Sequence, residues 1–472
     1  MNRRPHWAAA RRPAQVAFVS ILIVLLAVPI SAREMATEDA WVDWATDQSI
    51  VLDPVDWHAT MPSALRAVTD ELDDVQVVFL GEPDHYVAEK YDYRVLFIRA
   101  LLEQGYRHLG MEMGLSDGMR IDRYLETGDE RYLDRVALYG YRGDARPDRT
   151  SIPAPLEAVA RQPFYDAFVT EERDFLRQLR EINAALEPGE ERLHWFGWDI
   201  DSTEPGGGYA EAREILGPHR GVPIIDEMEA QLALVPGETL TEEADRLEVA
   251  LAGMADRVVE LQEALGSADA DLLRHVVRNL IDSLRFTELA FREPFGQHWN
   301  EAIRRREEAL IERLDDGWLT RLDAGSRVIL MGHNMHLSKD PSTLRFGLTS
   351  SDAFLEMWPT VGGAIAERLP VYAIWMLYDR GTSVRVFDPD PVFAVPSHPD
   401  RVEHLLAQIA PVLLLPLGAD DARASWLDED RSFVQNGGYA SGRLRRQADA
   451  LFFVEEVTVV GGLRPSCCAN GP

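Results

Sequence analysis

Apolar residues fall in two rhythms along this chain. Residues 75–80 form a short, largely β-branched run that stops at Gly81, the pattern of a buried strand that delivers a loop. Similar runs recur at 109–113, 193–200, 327–331, 371–377 and 451–454. Between the first four lie segments with helical spacing, marked by Leu96, Ala100 and Leu101 and later by Phe175, Leu179 and Ile182. Strands alternating with helices predict an α/β fold with a mostly parallel central sheet flanked by helices.

The middle of the chain keeps only the helical rhythm. Leu247, Leu251, Met254, Val258, Leu261 and Leu265 repeat at steps of four and three, one face of a single helix. Thr239 with Glu242 supplies a capping box at its start, and Gly266 supplies a stop. A second helix follows, with Leu273, Val276, Val277, Leu280 and Leu284 on one face. Together they predict a helical insertion over 223–292, set between α/β parts at 33–222 and 293–460. The stripe reads as packing, and the insertion as the wall of a cleft.

The two ends differ from the body. Arg3, Arg4, Arg11 and Arg12 precede an apolar run over 16–28, followed by Pro29, Ser31 and Ala32. Residues 1–32 therefore read as a signal peptide cut near Ala32, and the protein as exported, periplasmic or extracellular. The run falls short of the roughly 20 residues a spanning helix needs, so no stable membrane anchor is expected. Residues 461–472, with the adjacent Cys467 and Cys468, read as a disordered tail, and two cysteines do not make a disulfide scaffold. The stretch Glu204, Pro205, Gly206, Gly207 and Gly208 lacks the Lys of a phosphate loop and reads as a flexible turn.

Composition narrows the partners. A hydrophobic share of 46% with 27% charged residues is that of a folded globular protein. The formal charge of −31 argues against nucleic acid and anionic lipid as partners, without naming one.

Three groups of residues carry candidate chemistry. Gly81, Glu82, Pro83, Asp84 and His85, followed by Glu89 and Arg94, sit just past the first strand, at the edge where open α/β sheets bind ligands. A turn brings Glu82 and His85 to one side, and an imidazole held by a carboxylate keeps one tautomer and takes a proton from water. The second strand carries Glu112 between Met111 and Met113, a carboxylate that needs a partner in such surroundings. Gly332, His333, Asn334, Met335 and His336 follow the strand 328–331 directly. Two histidines at a strand end are costly as mere packing, and jointly with His85 and Glu112 they read as a site.

In that order these residues resemble the erythromycin esterase family. The matching pieces are Gly81 and Glu82 with His85 and Glu89, then Arg94, then Glu112 with Asp122, Arg123 and Tyr124. Further matches are 164–183, then Gly197, Trp198 and Asp199, then Arg306 and Glu307, then His333 to His336, and a closing strand over 449–454. The resemblance spans 73–457. It implies hydrolysis of an ester or macrolide lactone by activated water, with neither a metal, another cofactor nor a covalent serine. On it, His85 is the general base and Glu82 or Glu112 fixes its tautomer. His333, His336, Arg94 and Arg306 are the donors to the tetrahedral intermediate. Asp199 orients a base or an arginine, and Glu89 and Asn334 join it at the substrate.

Such families usually carry Thr and Gly on either side of the first histidine, where this chain has Asp84 and Tyr86. Asp84 is expected to add negative charge beside the base, and Tyr86 bulk where a substrate approaches. Two other chemistries fit the same residue types. Glu82, His85, Glu112, His333 and His336 have the donors of a metal-dependent hydrolase, and the histidines those of a haem or iron protein.

Overall fold

Each of the six apolar runs becomes a strand, and all six point the same way. The computed structural model describes residues 37–460 apart from 134–169, 188, 202–205, 236, 291, 293–297, 315–324, 348–353, 386–387 and 419. The leader over 1–32 and the tail with Cys467 and Cys468 lie outside the described residues, as does most of the first stretch of the 164–183 match.

In chain order the strands are β1 (Ile50–Val51), β2 (Val77–Glu82), β3 (His108–Gly114), β4 (His194–Asp199), β5 (Val328–His333), β6 (Arg345–Gly347), β7 (Phe354–Glu356), β8 (Val371–Arg385), β9 (Asp388–Val395), β10 (Val412–Pro416), β11 (Arg431–Gln435), β12 (Gly438–Gly442) and β13 (Ala450–Val457). A nine-stranded sheet takes the order β1-β10-β13-β8-β2-β5-β3-β4, with β9 paired to β8. From β13 to β4 every pairing is parallel. The antiparallel pairings made by β1, β10 and β9 are additions to the expected sheet.

The central strands are apolar on both faces because both faces are covered. Val78 and Leu80 pack into a core with Leu96 and Phe97 of the helix Glu89–Leu102. Val77 and Phe79 pack on the other side with Ala302, Ile303 and Leu310 of the helix Trp299–Glu312.

Chain order explains how distant residues meet. From β2 the chain crosses to β3 and β4, then returns to insert β5 between β2 and β3. The C-terminal ends of β2, β5, β3 and β4 therefore lie side by side, the edge at which open α/β sheets bind ligands.

The helical middle consists of Pro223–Gln231, Leu240–Asp256, Val258–Leu265 and Ser267–Ala290. Its capping box and its Gly266 end, at φ 85°, are as the pattern predicts. The stripe from Leu247 to Leu265 is two helices rather than one, because Arg257 leaves helical geometry at φ −117° and ψ 28°. Leu247, Met254, Leu261, Leu273 and Leu280 still share one buried cluster, so the periodicity survives the break. Gly206, Gly207 and Gly208, expected as a turn, open the helix Gly206–Leu216, where a side chain at Gly208 would overlap Leu280. Among the described residues no helix is long and apolar enough to cross a membrane.

A second sheet, β11-β12-β6-β7, is antiparallel throughout. Its β11–β12 turn uses left-handed backbone at Asn436 (φ 48°) and Gly437 (φ 65°). The Asn436 N–H donates to the Pro83 carbonyl at 2.8 Å, which fastens this hairpin to the loop that carries His85.

Candidate active site

β2 ends on Gly81 and Glu82, which pair in register with Gly332 and His333 at the end of β5. Both glycines are close approaches. A Cβ on Gly81 would overlap Asn334 Oδ1, and one on Gly332 would lie 2.8 Å from Trp198 and 2.9 Å from Glu112. Past Glu82 the chain turns back so that His85 Nδ1 sits 2.6 Å from Glu82 Oε1. Lys90 and Arg94, four apart on one helix face, reach the same carboxylate. Lys90 Nζ lies 3.2 Å from Glu82 Oε2 and also donates to the His85 carbonyl, while Arg94 Nη2 donates to Glu82 Oε2. Burial alone pushes the Glu82 carboxyl up, but Arg94, Lys90 and His85 outweigh it and hold Glu82 well below the usual carboxylate range. The His85 side chain is 17% exposed, against 1% for Glu82 and Lys90 and 0% for Arg94, so the imidazole is the part of this group that meets solvent.

A second group forms around Glu112. Its Oε2 accepts the His333 backbone N–H at 2.6 Å, and its Oε1 accepts from Arg306 Nη2 at 2.9 Å. Arg306 Nε donates to Asp199 Oδ1 at 2.7 Å, and Nη2 reaches the other Asp199 oxygen. His336 Nε2 lies 3.4 Å from Glu112 Oε1. His336 Nδ1 bonds Glu307 Oε1, and Glu307 Oε2 accepts the Val361 N–H at 2.8 Å. The helical middle braces this end: Asn279 Nδ2 donates to the Asp199 carbonyl at 3.1 Å, and Asp201 N–H donates to Ser283 Oγ at 3.0 Å.

The three imidazoles differ in electrostatic setting. Burial works against a charge on His336, but Glu112 and Glu307 more than offset it and its pKa is raised. Burial and the nearby His85 push His333 down to about 3, so it is neutral at physiological pH. Its Nδ1 takes the Met335 N–H at 3.4 Å, which assigns the ring proton to Nε2, and Nε2 is buried with no partner among the described residues. Glu112 is raised by burial but lowered more by His336, His85 and Arg306, and stays ionised. His333 stands between the groups, its ring centroid 5.0 Å from His85 and 6.0 Å from His336.

Seven of the ten candidate residues thus meet at one sheet edge, and three have other tasks. Asn334 donates its N–H to the Glu82 carbonyl at 2.8 Å and its side-chain amide to the Met376 carbonyl at 3.0 Å, bracketing β5 to β2 and β8. Glu89 turns away and accepts from Thr458 N at 3.0 Å and Oγ1 at 2.8 Å, tying its helix to the chain past β13. Arg94 lies wholly behind Glu82, where it holds that carboxylate rather than facing a substrate. Lys90 escapes a sequence reading, since a lone Lys on a helix reads as surface, and Glu307, matched to the family beside Arg306, is given no role by it.

The flanking pair also differs from expectation. Asp84 is fully buried, accepts the Tyr86 N–H at 2.9 Å and bonds Ser383 Oγ. Burial raises its pKa, against the lowering effect of its hydrogen bonds with Ser383 and Tyr86. Tyr86 is 1% exposed and packs in the core instead of crowding an approaching ligand. Among the described residues no three His, Cys, Asp or Glu side chains are grouped as a metal ion requires, and Glu82, Glu112 and Asp199 each face a guanidinium or ammonium.

Comparison with known proteins gives the following. A family profile described as erythromycin esterase matches residues 101–457, a span that begins after Glu82, His85, Lys90 and Arg94 and includes Glu112, Asp199, Arg306, Glu307, His333 and His336. Curated protein sequences give no match. Similar solved structures include a Bacillus cereus protein with a TM-score of 0.64 at 16% identity, covering 89% of this chain and 98% of its own. A succinoglycan biosynthesis protein gives 0.64 at 15% identity, covering 90% and 98%. A histidine-to-asparagine mutant of the erythromycin esterase EreC, in its open conformation, gives 0.58 at 18% identity, covering 88% and 98%. At these identities the likeness is one of fold.

Proposed function

This chain belongs to the erythromycin esterase family, and we propose that it hydrolyses an ester or lactone bond of a small molecule with water activated by His85. The observation that carries the proposal is the 2.6 Å contact between His85 Nδ1 and Glu82 Oε1. With Glu82 ionised, Nδ1 carries the proton and Nε2 is the basic nitrogen that takes a proton from water. The resulting hydroxide adds to the carbonyl carbon and drives negative charge onto the carbonyl oxygen.

Two preset groups answer that charge. His333 offers a neutral, buried Nε2–H beside His85, in a setting where a fixed donor acts more strongly than in water. His336, its pKa raised by Glu112 and Glu307 against burial, is the acid that protonates the departing oxygen as the tetrahedral intermediate collapses. Arg306 spends its guanidinium on Glu112 and Asp199 and so fixes the position of Glu112. Hydrolysis of a panel of esters and lactones by the wild-type protein and by His85→Ala tests this reading.

The leader over 1–32 completes the proposal: the hydrolase is exported and acts outside the cytoplasm.

A further inference from the structure

One buried carboxyl lies behind the base and takes no part in the proposed reaction. The helix Thr170–Ala185 packs on Glu89–Leu102 through Phe175 and Tyr91, whose ring centroids are 5.9 Å apart. Glu172 stands one turn before Phe175 on the same face and is 4% exposed. The Tyr91 ring lies 5.0 Å from Lys90 Nζ and 5.6 Å from the Arg94 guanidinium, the two cations that grip Glu82. Glu172 Oε2, Tyr91 Oη, Arg94 Nε and Arg94 Nη1 are all buried there without a hydrogen-bond partner among the described residues. Four unspent polar atoms in one inter-helix space are expensive where a Leu would pack freely, so the space is built for charge.

The reason lies in the count of charges. Lys90 and Arg94 bring two positive charges to the single carboxylate of Glu82, and Glu172 is a second acid within electrostatic reach that offsets the excess once it ionises. We propose that Glu172 is a positioning residue for the hydrolytic site, which sets through Lys90 and Arg94 how much of the Glu82 charge remains to stabilise a protonated His85. The inference rests on the reading of His85 as the base.

The direction follows from electrostatics. Burial pushes Glu172 up to about 8, against the downward pull of Lys90 and Arg94. Below that pH it is neutral and the two cations fall wholly to Glu82. Above it the carboxylate draws on both cations, leaves Glu82 less neutralised and makes the potential at the His85 ring more negative. Among the described residues, the charged and titratable groups acting on Glu172 or on the adjoining Tyr91 are Lys90 and Arg94 from Glu89–Leu102, Glu82 from β2, and Glu171 and Arg173 on its own helix. On the other flank of that helix, Tyr124 of Leu115–Thr127 faces Arg173, Arg177 and Arg180.

The test compares Glu172→Gln with wild type in two measurements. The first is the ratio of wild-type to variant kcat/KM across pH, which cancels every limb the two proteins share. It is expected to rise about threefold or more as the pH passes about 8. A ratio flat across pH overturns the proposal, and a flat ratio above one marks a packing role. The second is the titration of the His85 ring resonance in histidine-labelled, substrate-free protein, assigned by its loss in His85→Asn. A second inflection near 8 is expected in wild type and absent from Glu172→Gln. It must also persist in Glu403→Gln, because Glu403 is likewise pushed up to about 8 by burial. Its absence from wild type, or its loss in Glu403→Gln, overturns the proposal even where Glu172→Gln does not fold. Since the resonance needs no substrate, a protein that cleaves nothing in the panel yet shows this inflection refutes the hydrolase reading alone.

Discussion

Glu82 and His333 occupy the same rung at the ends of neighbouring parallel strands, so residues far apart in sequence are set side by side by register alone. The Asn334 N–H closes the pairing on the Glu82 carbonyl. What the sheet fixes, the side chains then divide: Glu82 serves His85, while the backbone of His333 binds Glu112.

Glu82→Gln should be costly to the fold as well as to activity. It leaves Lys90 and Arg94 buried without their anion, a loss of about 3–5 kcal/mol for a broken buried pair. Folding lowers the Glu82 pKa, so its stabilisation is present above the unfolded value near 4.5 and lost as the pH falls through the lower folded value. Denaturant titration at neutral and acid pH checks both: the gap between wild type and variant should be wide at neutral pH and close on acidification.

His336 should supply the alkaline limb of activity. Its folded pKa is raised above 6.5, so the cation is fully present below that value and is lost as the pH rises through the higher one. Wild-type kcat is expected to fall along that limb, and His336→Asn to show a kcat lower by about 10²-fold or more without it. A pH series of kcat for both proteins decides the point.

Gly81→Ala should cost about 1–3 kcal/mol, the usual penalty for overpacking, because the new methyl overlaps Asn334 Oδ1. Adding Asn334→Ala should recover part of the loss, with Trp375, 3.0 Å from the same methyl, limiting the recovery. Thermal unfolding of the two single variants and the double variant measures this coupling.

Much of this architecture was legible because the central strands are buried on both faces and read as continuous apolar runs. The antiparallel additions were not. β1 has only two residues, and β11 and β12 mix Arg, Ser, Gln and Gly with their apolar positions. The break at Arg257 was hidden because the buried stripe continues through it. In the site, histidines and acids beside strand ends stand out, whereas Lys90 and Glu172 lie on helices where a charged residue ordinarily faces water. Glu89 shows the opposite error: four residues after His85 it looks like a partner, but its side chain leaves toward Thr458.

Prolonged dialysis against a chelator should leave kcat/KM unchanged, since the cluster's carboxylates are already matched by Arg306, Arg94 and Lys90. Activity that disappears on chelation and returns with a divalent ion would assign Glu82, His85, Glu112, His333 and His336 to a metal instead.

The central claim is that the His85 imidazole, oriented by Glu82, removes the proton from water. The direct measurement is kcat/KM of His85→Ala on the best ester or lactone of the panel, with thermal unfolding run beside it. A loss of about 10²-fold or more at unchanged Tm is the predicted result. Near wild-type hydrolysis by a folded His85→Ala would contradict it.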